Sequence, residues 1–482
     1  MKQASKGSEM ADRGERAPLG RDPRGGPIQV FFNRPGSARK PRIVRGEGLY
    51  MWDDEGRRYI DVSSGPVANN LGHGNPRVLD AIRRQSEQVT YALPTMFESE
   101  ANVALADLLT SLSGPGLERA FFVSGGSEAT ETVLKLARMH AVAKGETARS
   151  KVIARNPSYH GATLGALSIT GDHKAHELFG PLLRAMPKVP APLTYRLPAN
   201  HNRESYAAYC ADALEREIRD QGPENVLAFI MEPIGGLATG ALVAEDAYYT
   251  RVREICSRYG VLLIYDEVMS GAGRTGTFLG AEHWPDARPD MVILAKGIAG
   301  GYTPMGCVLA TAELVETVAE FGGFPHALTY SANPLSCATG YAVLRELIDR
   351  DLIANTRERG EQLRARLAEI AGRSAILGDV RGRGLLLATE LVADKDSKRQ
   401  IPFELEAPSR FQQIALELGL AVYCRRTSGG KFGDWVMVSP PLTVTAEEVD
   451  EIADGLAEAL GRYENELRQQ GVLGARPVSG SP

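Results

Sequence analysis

From about residue 100 onward, short apolar runs alternate with amphipathic helical patterns, and this alternation limits the possible folds more than any other feature. The apolar runs predict strands at residues 119–123, 151–155, 226–231, 261–265, 291–295 and 307–310. The helical patterns predict helices at residues 128–143, 206–220 and 248–259. Continuous apolar strands of this kind are typical of parallel sheets that are covered on both faces. We therefore predict an α/β fold with a doubly wound, mostly parallel sheet.

Two charged residues stand at the ends of predicted strands. Asp266 closes the run Val-Leu-Leu-Ile-Tyr-Asp, and Lys296 follows the run Met-Val-Ile-Leu-Ala. In open α/β sheets the ligand crevice lies outside the carboxyl ends of the strands. A lysine amine and a carboxylate in that crevice suit a pyridoxal phosphate enzyme, which needs a Schiff base and a protonated pyridine nitrogen. The alternative at this point is a structural ion pair between neighbouring strand ends.

Polar and glycine-rich segments follow three further strands. The first, Ser-Gly-Gly-Ser at 124–127, opens a helix, and the free N–H groups and the dipole of a helix start favour phosphate. An ordinary Ser-capped helix is the other interpretation, and no Walker Gly-Lys-Ser/Thr follows. Tyr159 and His160 come just after the second strand and suit either a flat heterocycle or a packed turn. Glu232 ends the third strand and suits either a contact with a phenolic oxygen or a plain strand terminus.

The composition excludes several classes of function. The 482 residues carry a net charge of -5, which gives no electrostatic reason to expect nucleic acid or an anionic membrane as a partner. The five cysteines form no CxxC pair and the eight histidines form no HxxxH spacing, so no metal site is predicted. Because the sequence has neither an apolar signal segment at its start nor an apolar run of membrane-spanning length, we expect a cytoplasmic protein.

Changes of pattern along the chain predict five segments. Residues 1–27 are charged and rich in Gly and Pro, so we expect a disordered tail. Residues 28–75, with a hairpin at 48–61, form an N-terminal segment of a small domain, and residues 76–334 form the large cofactor-binding domain. Residues 335–466 read as an α+β small domain with helices at 358–371 and 446–464 and strands near 384–391 and 435–438. Residues 467–482 are a flexible tail.

A series of short motifs, taken in order, points to one family. The motifs are Leu-Gly-His-Gly-Asn-Pro (71–76), Ser-Gly-Gly-Ser-Glu-Ala-Thr-Glu (124–131), Tyr-His-Gly (159–161), Glu-Pro (232–233), Asp-Glu-Val (266–268) with Gly-Arg-Thr-Gly (273–276), Lys-Gly (296–297), Thr-Tyr-Ser-Ala-Asn-Pro (329–334) and Pro-Pro-Leu (440–442). Over roughly residues 30 to 465 the chain resembles a class III (ω-type) aminotransferase of fold type I, a pyridoxal phosphate family. Each motif alone is weak, whereas their order is specific.

The resemblance implies roles for individual residues. Lys296 would form the Schiff base with pyridoxal phosphate and move a proton between substrate and cofactor, and Asp266 would pair with the pyridine nitrogen. Gly126 and Ser127 would bind the cofactor phosphate. Thr329 would reach the phosphate in the neighbouring subunit, which implies an obligate homodimer with shared active sites, with pairing of dimers into tetramers left open.

The resemblance also implies contacts to the cofactor ring. Tyr159 and Val268 would sandwich the ring, and His160 would shape the pocket around it. Glu232 would lie near the phenolic oxygen of the cofactor or close the pocket. No metal ligand is implied.

The chain departs from the family pattern at several positions. Gly125 stands where the family usually has the first serine of Ser-Gly-Ser, which removes a hydroxyl but keeps the anion-binding backbone, and Met269 stands where many members have Gln. Met437 occupies the position, three residues before Pro-Pro, where many members place an arginine for the substrate α-carboxylate. Arg425 or Arg426 would be a mobile arginine that binds a keto acid carboxylate, or the two form a solvated basic pair.

These features predict a ping-pong transaminase. The amino donor would be an ω-amino acid, a primary amine or an aminated metabolite, because Met437 replaces the arginine clamp. The acceptor would be a 2-oxo acid such as pyruvate or 2-oxoglutarate. The alternatives are an aminomutase or a decarboxylating transaminase on the same scaffold, and a cofactor-binding protein without catalysis.

Overall fold

The structure, a computed structural model, describes residues 40–474. The chain divides into two units, one that ends at Ile43 and one that runs from Val44 onward. Residues 40–43 are the described part of the first unit. Apart from Ile43, with which the first strand begins, the fold given below is that of the second unit. The predicted tail at 1–27 and residues 475–482 of the second predicted tail lie outside the described residues.

The second unit contains three sheets and a set of surrounding helices. Its strands are β1 Ile43–Glu47, β2 Tyr50–Asp53, β3 Arg58–Asp61, β4 Arg119–Val123, β5 Lys151–Asn156, β6 Lys188–Pro190, β7 Val226–Met231, β8 Leu262–Asp266, β9 Met291–Ala295, β10 Gly306–Ala310, β11 Leu377–Arg383, β12 Leu386–Leu391, β13 Leu420–Ala421, β14 Tyr423–Arg426 and β15 Asp434–Val438. Its helices are α1 Ser64–Val67, α2 Pro76–Gln88, α3 Glu100–Ser113, α4 Gly126–Ala143, α5 Leu164–Ile169, α6 His173–Phe179, α7 Arg203–Gln221, α8 Asp246–Tyr259, α9 Ala312–Glu320, α10 Pro334–Asp349, α11 Leu352–Arg373, α12 Ala407–Glu417 and α13 Ala446–Gln469.

The largest sheet has seven strands in the order β4-β10-β9-β8-β7-β5-β6. Its strands run parallel except β10, which is antiparallel to both β4 and β9. The mostly parallel α/β sheet predicted from the sequence is therefore confirmed. The reversed direction of β10 and the short strand β6 were not predicted. An apolar run carries no information about direction, and β6 is three residues long with Lys and Pro at its ends.

The sheet is buried on both faces, as the apolar runs indicate. All five residues of β9 are buried. Val292 and Leu294 belong to one apolar core, whereas Met291 and Ile293 belong to a second core on the other side. Successive side chains of a strand point to opposite faces, so β9 separates two packed layers and presents side chains to a ligand only at its ends.

Two four-stranded sheets flank this layer, in the orders β1-β2-β3-β13 and β11-β12-β15-β14. The predicted hairpin is formed by β2 and β3, and the two-residue strand β13 pairs with β3 in parallel. Chain segments from before residue 76 and from after residue 335 thus share one sheet, while the predicted domain boundaries stay a prediction. Helix α13 continues to Gln469, three residues into the predicted tail. None of the helices within residues 40–474 is both long and apolar enough to cross a bilayer.

Candidate active site

The carboxyl ends of neighbouring parallel strands meet at one cavity. Asp266 ends β8, Lys296 follows β9, Glu232 follows β7, and the loop after β5 brings in His160. All four line a cavity of about 450 Å³. The sheet topology thus places at one point side chains that are far apart in the sequence, in the crevice where open α/β sheets bind ligands.

Lys296 is held in an unusual backbone conformation at the end of β9. Its φ is +48°, in the left-handed region that few non-glycine residues adopt. A Cβ on the next residue, Gly297, would lie 2.4 Å from the amide nitrogen of Asn70, so only glycine fits there. The turn therefore directs the lysine into the cavity. Burial lowers the pKa of Lys296 from 10.5 to about 8, with a further lowering by Arg425, against the opposing effects of Asp266 and Glu232. The ammonium loses its proton far more readily than a surface lysine does.

Asp266 is fixed by two hydrogen bonds. Its Oδ2 lies 2.9 Å from Nδ1 of His160, and its Oδ1 accepts the backbone N–H of Val268 at 3.1 Å. Because a carboxylate only accepts, His160 donates from Nδ1. Nε2 of His160 is buried without a hydrogen-bond partner among the described residues. Asp266 and His160 are both buried, and the Asp266 carboxyl group gives one face of the cavity an acceptor for a protonated ring nitrogen.

Glu232 lines the same cavity. Burial raises its pKa and the nearby Asp266 adds to this, while His160, Arg155 and the N–H of Gly236 act in the opposite direction. Oε1 accepts that N–H at 3.0 Å, whereas Oε2 is buried without a partner in the described chain and lies 4.0 Å from Arg155. A carboxyl group that is easily protonated can donate a hydrogen bond to an oxygen of a bound group.

The start of helix α4 forms an anion-binding corner of the cavity. No side chain caps its first N–H groups, and Gly125, Gly126 and Ser127 line the cavity there. Oγ of Ser127 accepts the N–H of Ala162 at 3.0 Å, which leaves the hydroxyl hydrogen free to donate. Helix α4 has 18 residues, so its dipole adds to the free N–H groups. This corner suits a phosphate group.

Tyr159 and Val268 complete the walls. Burial raises the pKa of Tyr159, which keeps it a neutral aromatic surface, and the side chain of Val268 packs against Gly126, where an added Cβ would meet it at 3.3 Å. Aromatic and aliphatic walls, a phosphate corner, the carboxylate of Asp266 and the amine of Lys296 fit pyridoxal phosphate group by group. The unpartnered buried atoms of His160 and Glu232 are those that a polar bound group satisfies.

The two predicted substrate arginines differ in their surroundings. The guanidinium of Arg425 lies 5.4 Å from the ring centre of Tyr159 and donates to Asp172 at 3.1 Å. Arg426 instead makes a two-pronged ion pair with buried Asp434, at 2.7 and 2.6 Å, and stacks on Phe403. Arg425 thus lies beside Tyr159, one wall of the cavity, whereas Arg426 is paired with Asp434. Which of the two binds a substrate carboxylate stays a prediction.

Two other predicted positions lie away from the cavity. Thr329 is exposed, and its carbonyl accepts the hydroxyl of Tyr91 at 2.9 Å. The side chain of Met437 is fully buried in β15, between β12 and β14. No group of His, Cys, Asp and Glu side chains within residues 40–474 is arranged to hold a metal ion.

The sequence missed several residues that shape the site. Asn70 packs against Gly297, Thr303 lines the cavity with an unpartnered hydroxyl, and Asp172 pairs with Arg425. Asp172 carried a detectable signal only as the N-cap of α6, which says nothing about an arginine 253 residues away. The pairing of His160 with Asp266 was also missed.

Comparison with known proteins agrees with this geometry. The family model described as Aminotransferase class-III matches residues 33–460. The uncharacterized aminotransferase YodT of Bacillus subtilis is 37% identical over 437 residues, covering 90% of this chain and 98% of its own. The diaminobutyrate–2-oxoglutarate transaminase of Halomonas elongata is 32% identical, with 90% and 92% covered. The putrescine–pyruvate aminotransferase of Pseudomonas aeruginosa is 32% identical, with 85% and 88% covered.

Solved structures show the same similarity. A thermostable (S)-enantioselective ω-transaminase from Thermomicrobium roseum is 36% identical with a TM-score of 0.83, covering 90% of this chain and 95% of its own. The ω-transaminase from Pseudomonas jessenii in complex with PMP is 31% identical, also with a TM-score of 0.83, covering 90% and 94%.

Proposed function

The chain belongs to the class-III aminotransferases, and from this premise we propose that it transfers an amino group from an ω-amino acid, a primary amine or an aminated metabolite to a 2-oxo acid, by a ping-pong mechanism. The observation that carries the proposal is the position of Lys296. Its amine lies in a cavity that also contains an anion-binding helix start and a buried carboxylate, and its pKa is lowered to about 8.

Pyridoxal phosphate, the cofactor of this enzyme class, supplies an aldehyde for the amine and a ring that accepts electrons from the substrate carbon. Residues of the protein bind and orient the cofactor and move the proton. Asp266, oriented by His160, holds the proton on the ring nitrogen. Gly126 and Ser127 hold the phosphate through N–H and O–H groups. Lys296, neutral in a substantial fraction of molecules, attaches the cofactor and then carries a proton at its Nζ.

The proposed class of amino donor depends on the part of the cavity wall that does not contact the cofactor. Ala68, Ile234 and Met269 line it, and the position of the α-carboxylate arginine is taken by buried Met437. An α-dicarboxylic amino acid would leave its α-carboxylate without a fixed cation there, which costs binding free energy. Arg425, which lies over the ring of the wall residue Tyr159, is the cation we assign to the acceptor carboxylate. Two relatives, the diaminobutyrate–2-oxoglutarate transaminase and the putrescine–pyruvate aminotransferase, act on substrates of this class, which supports the proposal.

We also propose that the active form is a homodimer in which Thr329 reaches the phosphate in the other subunit. Thr329 is exposed and is tied through Tyr91 to a surface segment rich in apolar residues. In that segment Met96 is 68% exposed and Phe97 59%, and the neighbouring Tyr330 is 63% exposed. Apolar surface of this extent is typical of a protein–protein interface, and a second copy of the chain would cover it.

The experiment that tests the function is a matrix of amino donors and 2-oxo acid acceptors on the purified holoenzyme, with the visible absorbance of the cofactor followed in each half-reaction. We expect turnover of ω-amino acids or primary amines with pyruvate or 2-oxoglutarate. Lys296→Ala should abolish both turnover and covalent attachment of the cofactor. Turnover of α-dicarboxylic amino acids alone would contradict the proposed donor class, and unchanged amino transfer by Lys296→Ala would contradict the role of the lysine.

A further inference from the structure

Arg425 and Arg426 are neighbours on β14, yet they are anchored with very different strength. Arg426 donates twice to Asp434, whose side chain is 2% exposed, and also to the backbone carbonyl of Phe403. Arg425 donates one hydrogen bond, from Nη2 to Oδ2 of Asp172 at 3.1 Å. A two-pronged buried pair is rigid, whereas a single contact to a partly open carboxylate is readily exchanged. Arg425 is therefore the arginine that another carboxylate can capture.

The two carboxylate oxygens of Asp172 accept different hydrogen bonds. Oδ1 accepts the N–H of Lys174 at 3.1 Å and thereby caps α6, while Oδ2 accepts from Arg425. The next residue, His173, donates its N–H to the hydroxyl of Ser428 at 3.3 Å, so the start of α6 and the segment after Arg425 touch at a second point. Asp172 is thus fixed by its helix, and only the Arg425 side of the ion pair is free to move.

The ion pair lies at the boundary between protein and solvent. The side chains of Arg425 and Asp172 are 24% and 13% exposed, and the guanidinium lies over Tyr159. Burial of this degree makes the attraction stronger than that of a surface pair, while solvent and small ions still reach it. Without a counter-ion, the half-buried guanidinium over Tyr159 would carry an uncompensated charge beside an uncharged substrate, which is unfavourable.

We propose that Asp172 is a specificity-determining residue that takes the place of a substrate carboxylate on Arg425. This inference rests on the proposed function, because it assumes that the cavity accepts both amines and 2-oxo acids. With an uncharged amine, Asp172 neutralises Arg425. With a 2-oxo acid, the substrate carboxylate replaces Asp172 on the guanidinium. The enzyme thereby accepts charged and uncharged partners in one cavity, and Asp172 sets the balance between them by competing for Arg425.

The test uses Asp172→Asn in the holoenzyme. Asparagine caps helices as well as aspartate does, so α6 should form as before, while the negative charge is removed. Glu177→Gln is the matched control, because it makes the same charge change in the same helix at a side chain that is 64% exposed. Binding is measured by calorimetry with glutarate and propionate, carboxylates that cannot be transaminated. KM and kcat are measured with pyruvate and 2-oxoglutarate.

We expect Asp172→Asn to tighten binding of the carboxylates and to lower KM for the 2-oxo acid by about fivefold, with kcat little changed. Glu177→Gln should change neither by more than about twofold. Asp172→Glu, which keeps the negative charge, should stay closer to the wild type than Asp172→Asn does. In an Arg425→Gln background, where carboxylates bind weakly, Asp172→Asn should have no further effect, because the two residues act as one unit.

Three results would overturn the inference: weaker carboxylate binding in Asp172→Asn, an equal effect of Glu177→Gln, or an Asp172→Asn effect that persists without Arg425. Failure of the proposed function is separate from these results. If the wild-type holoenzyme transfers no amino group from any donor to any 2-oxo acid, the function is wrong, whereas the calorimetric comparison still reports whether Asp172 competes for Arg425.

Discussion

The lowered pKa of Lys296 predicts how the apoenzyme captures its cofactor as the pH changes. Covalent attachment requires the neutral amine. A lysine with a pKa of 10.5 is neutral in about 0.03% of molecules at pH 7, whereas a pKa of about 8 makes about 10% neutral. The ratio of roughly 300 corresponds to roughly 3 kcal/mol. We therefore expect the attachment rate to rise with pH along a titration curve whose midpoint is near pH 8, and to reach its plateau below pH 10.

The assay mixes apoenzyme with pyridoxal phosphate at a series of pH values and follows the visible absorbance of the attached cofactor. The variant Arg425→Gln tests the direction in which Arg425 moves the pKa of Lys296. Arg425 lowers the pKa of Lys296, so its removal should move the midpoint to higher pH. A lysine that is more basic in this variant would attach the cofactor more slowly at pH 7.

Lys296→Ala is the control for the absorbance signal and should show no attachment at any pH. A wild-type midpoint above pH 10 would refute the reasoning, because it would mean that burial does not disfavour the ammonium form. A midpoint that shifts to lower pH in Arg425→Gln would show that Arg425 does not act on Lys296 through its charge.

Two further predictions concern packing around the site. Gly161→Ala places a methyl group 2.7 Å from Oγ of Ser127 at a φ of +130°. We therefore expect cofactor affinity, measured by titration of the apoenzyme, to fall by roughly tenfold. The control is Gly145→Ala, at a φ of +76° with no neighbouring atom within 4 Å, which should leave the cofactor affinity unchanged. Arg274→Met removes a buried guanidinium that donates to Asn70 at 2.6 Å and to three backbone carbonyls. The substitution should lower the free energy of unfolding by about 3 kcal/mol and the unfolding temperature measured by calorimetry by several degrees. An unchanged unfolding temperature would contradict this prediction.

The large sheet could be predicted from the sequence because its strands are buried on both faces. The bounds of β4, β7 and β9 agree with the predicted strands at every residue. β7 and β9 are apolar and buried along their whole length, so for these two the apolar run coincides with the strand. The flanking sheets were harder to predict. β14 reads Tyr-Cys-Arg-Arg and is half-buried throughout, so its composition resembles that of a loop. β13 consists of two residues whose pairing with β3 depends on tertiary packing.

Some residues of the candidate site could be predicted from the sequence, and others could not. Lys296, Asp266 and Glu232 could be singled out because each stands at the end of a recognisable strand, and neighbouring parallel strands of one sheet end at one place. The pairing of Asp172 with Arg425 could not be predicted, because it joins the loop after α5 to a strand of another sheet. Such a contact depends on how two layers pack, and no local pattern in the sequence records that arrangement.

The charges of the cavity explain why the cofactor residues and the substrate residues have different requirements. Lys296 must lose a proton to react, and burial together with the cationic Arg425 favours that loss, whereas Asp266 and Glu232 oppose it. If Arg425 were permanently neutralised by a rigid partner, as Arg426 is by Asp434, its help to Lys296 would be weakened and no cation would be left for a substrate carboxylate. A single, exchangeable contact with Asp172 leaves both effects in place. Under the proposed function, the weak anchoring of Arg425 would allow one cavity both to keep its lysine reactive and to receive an anionic acceptor.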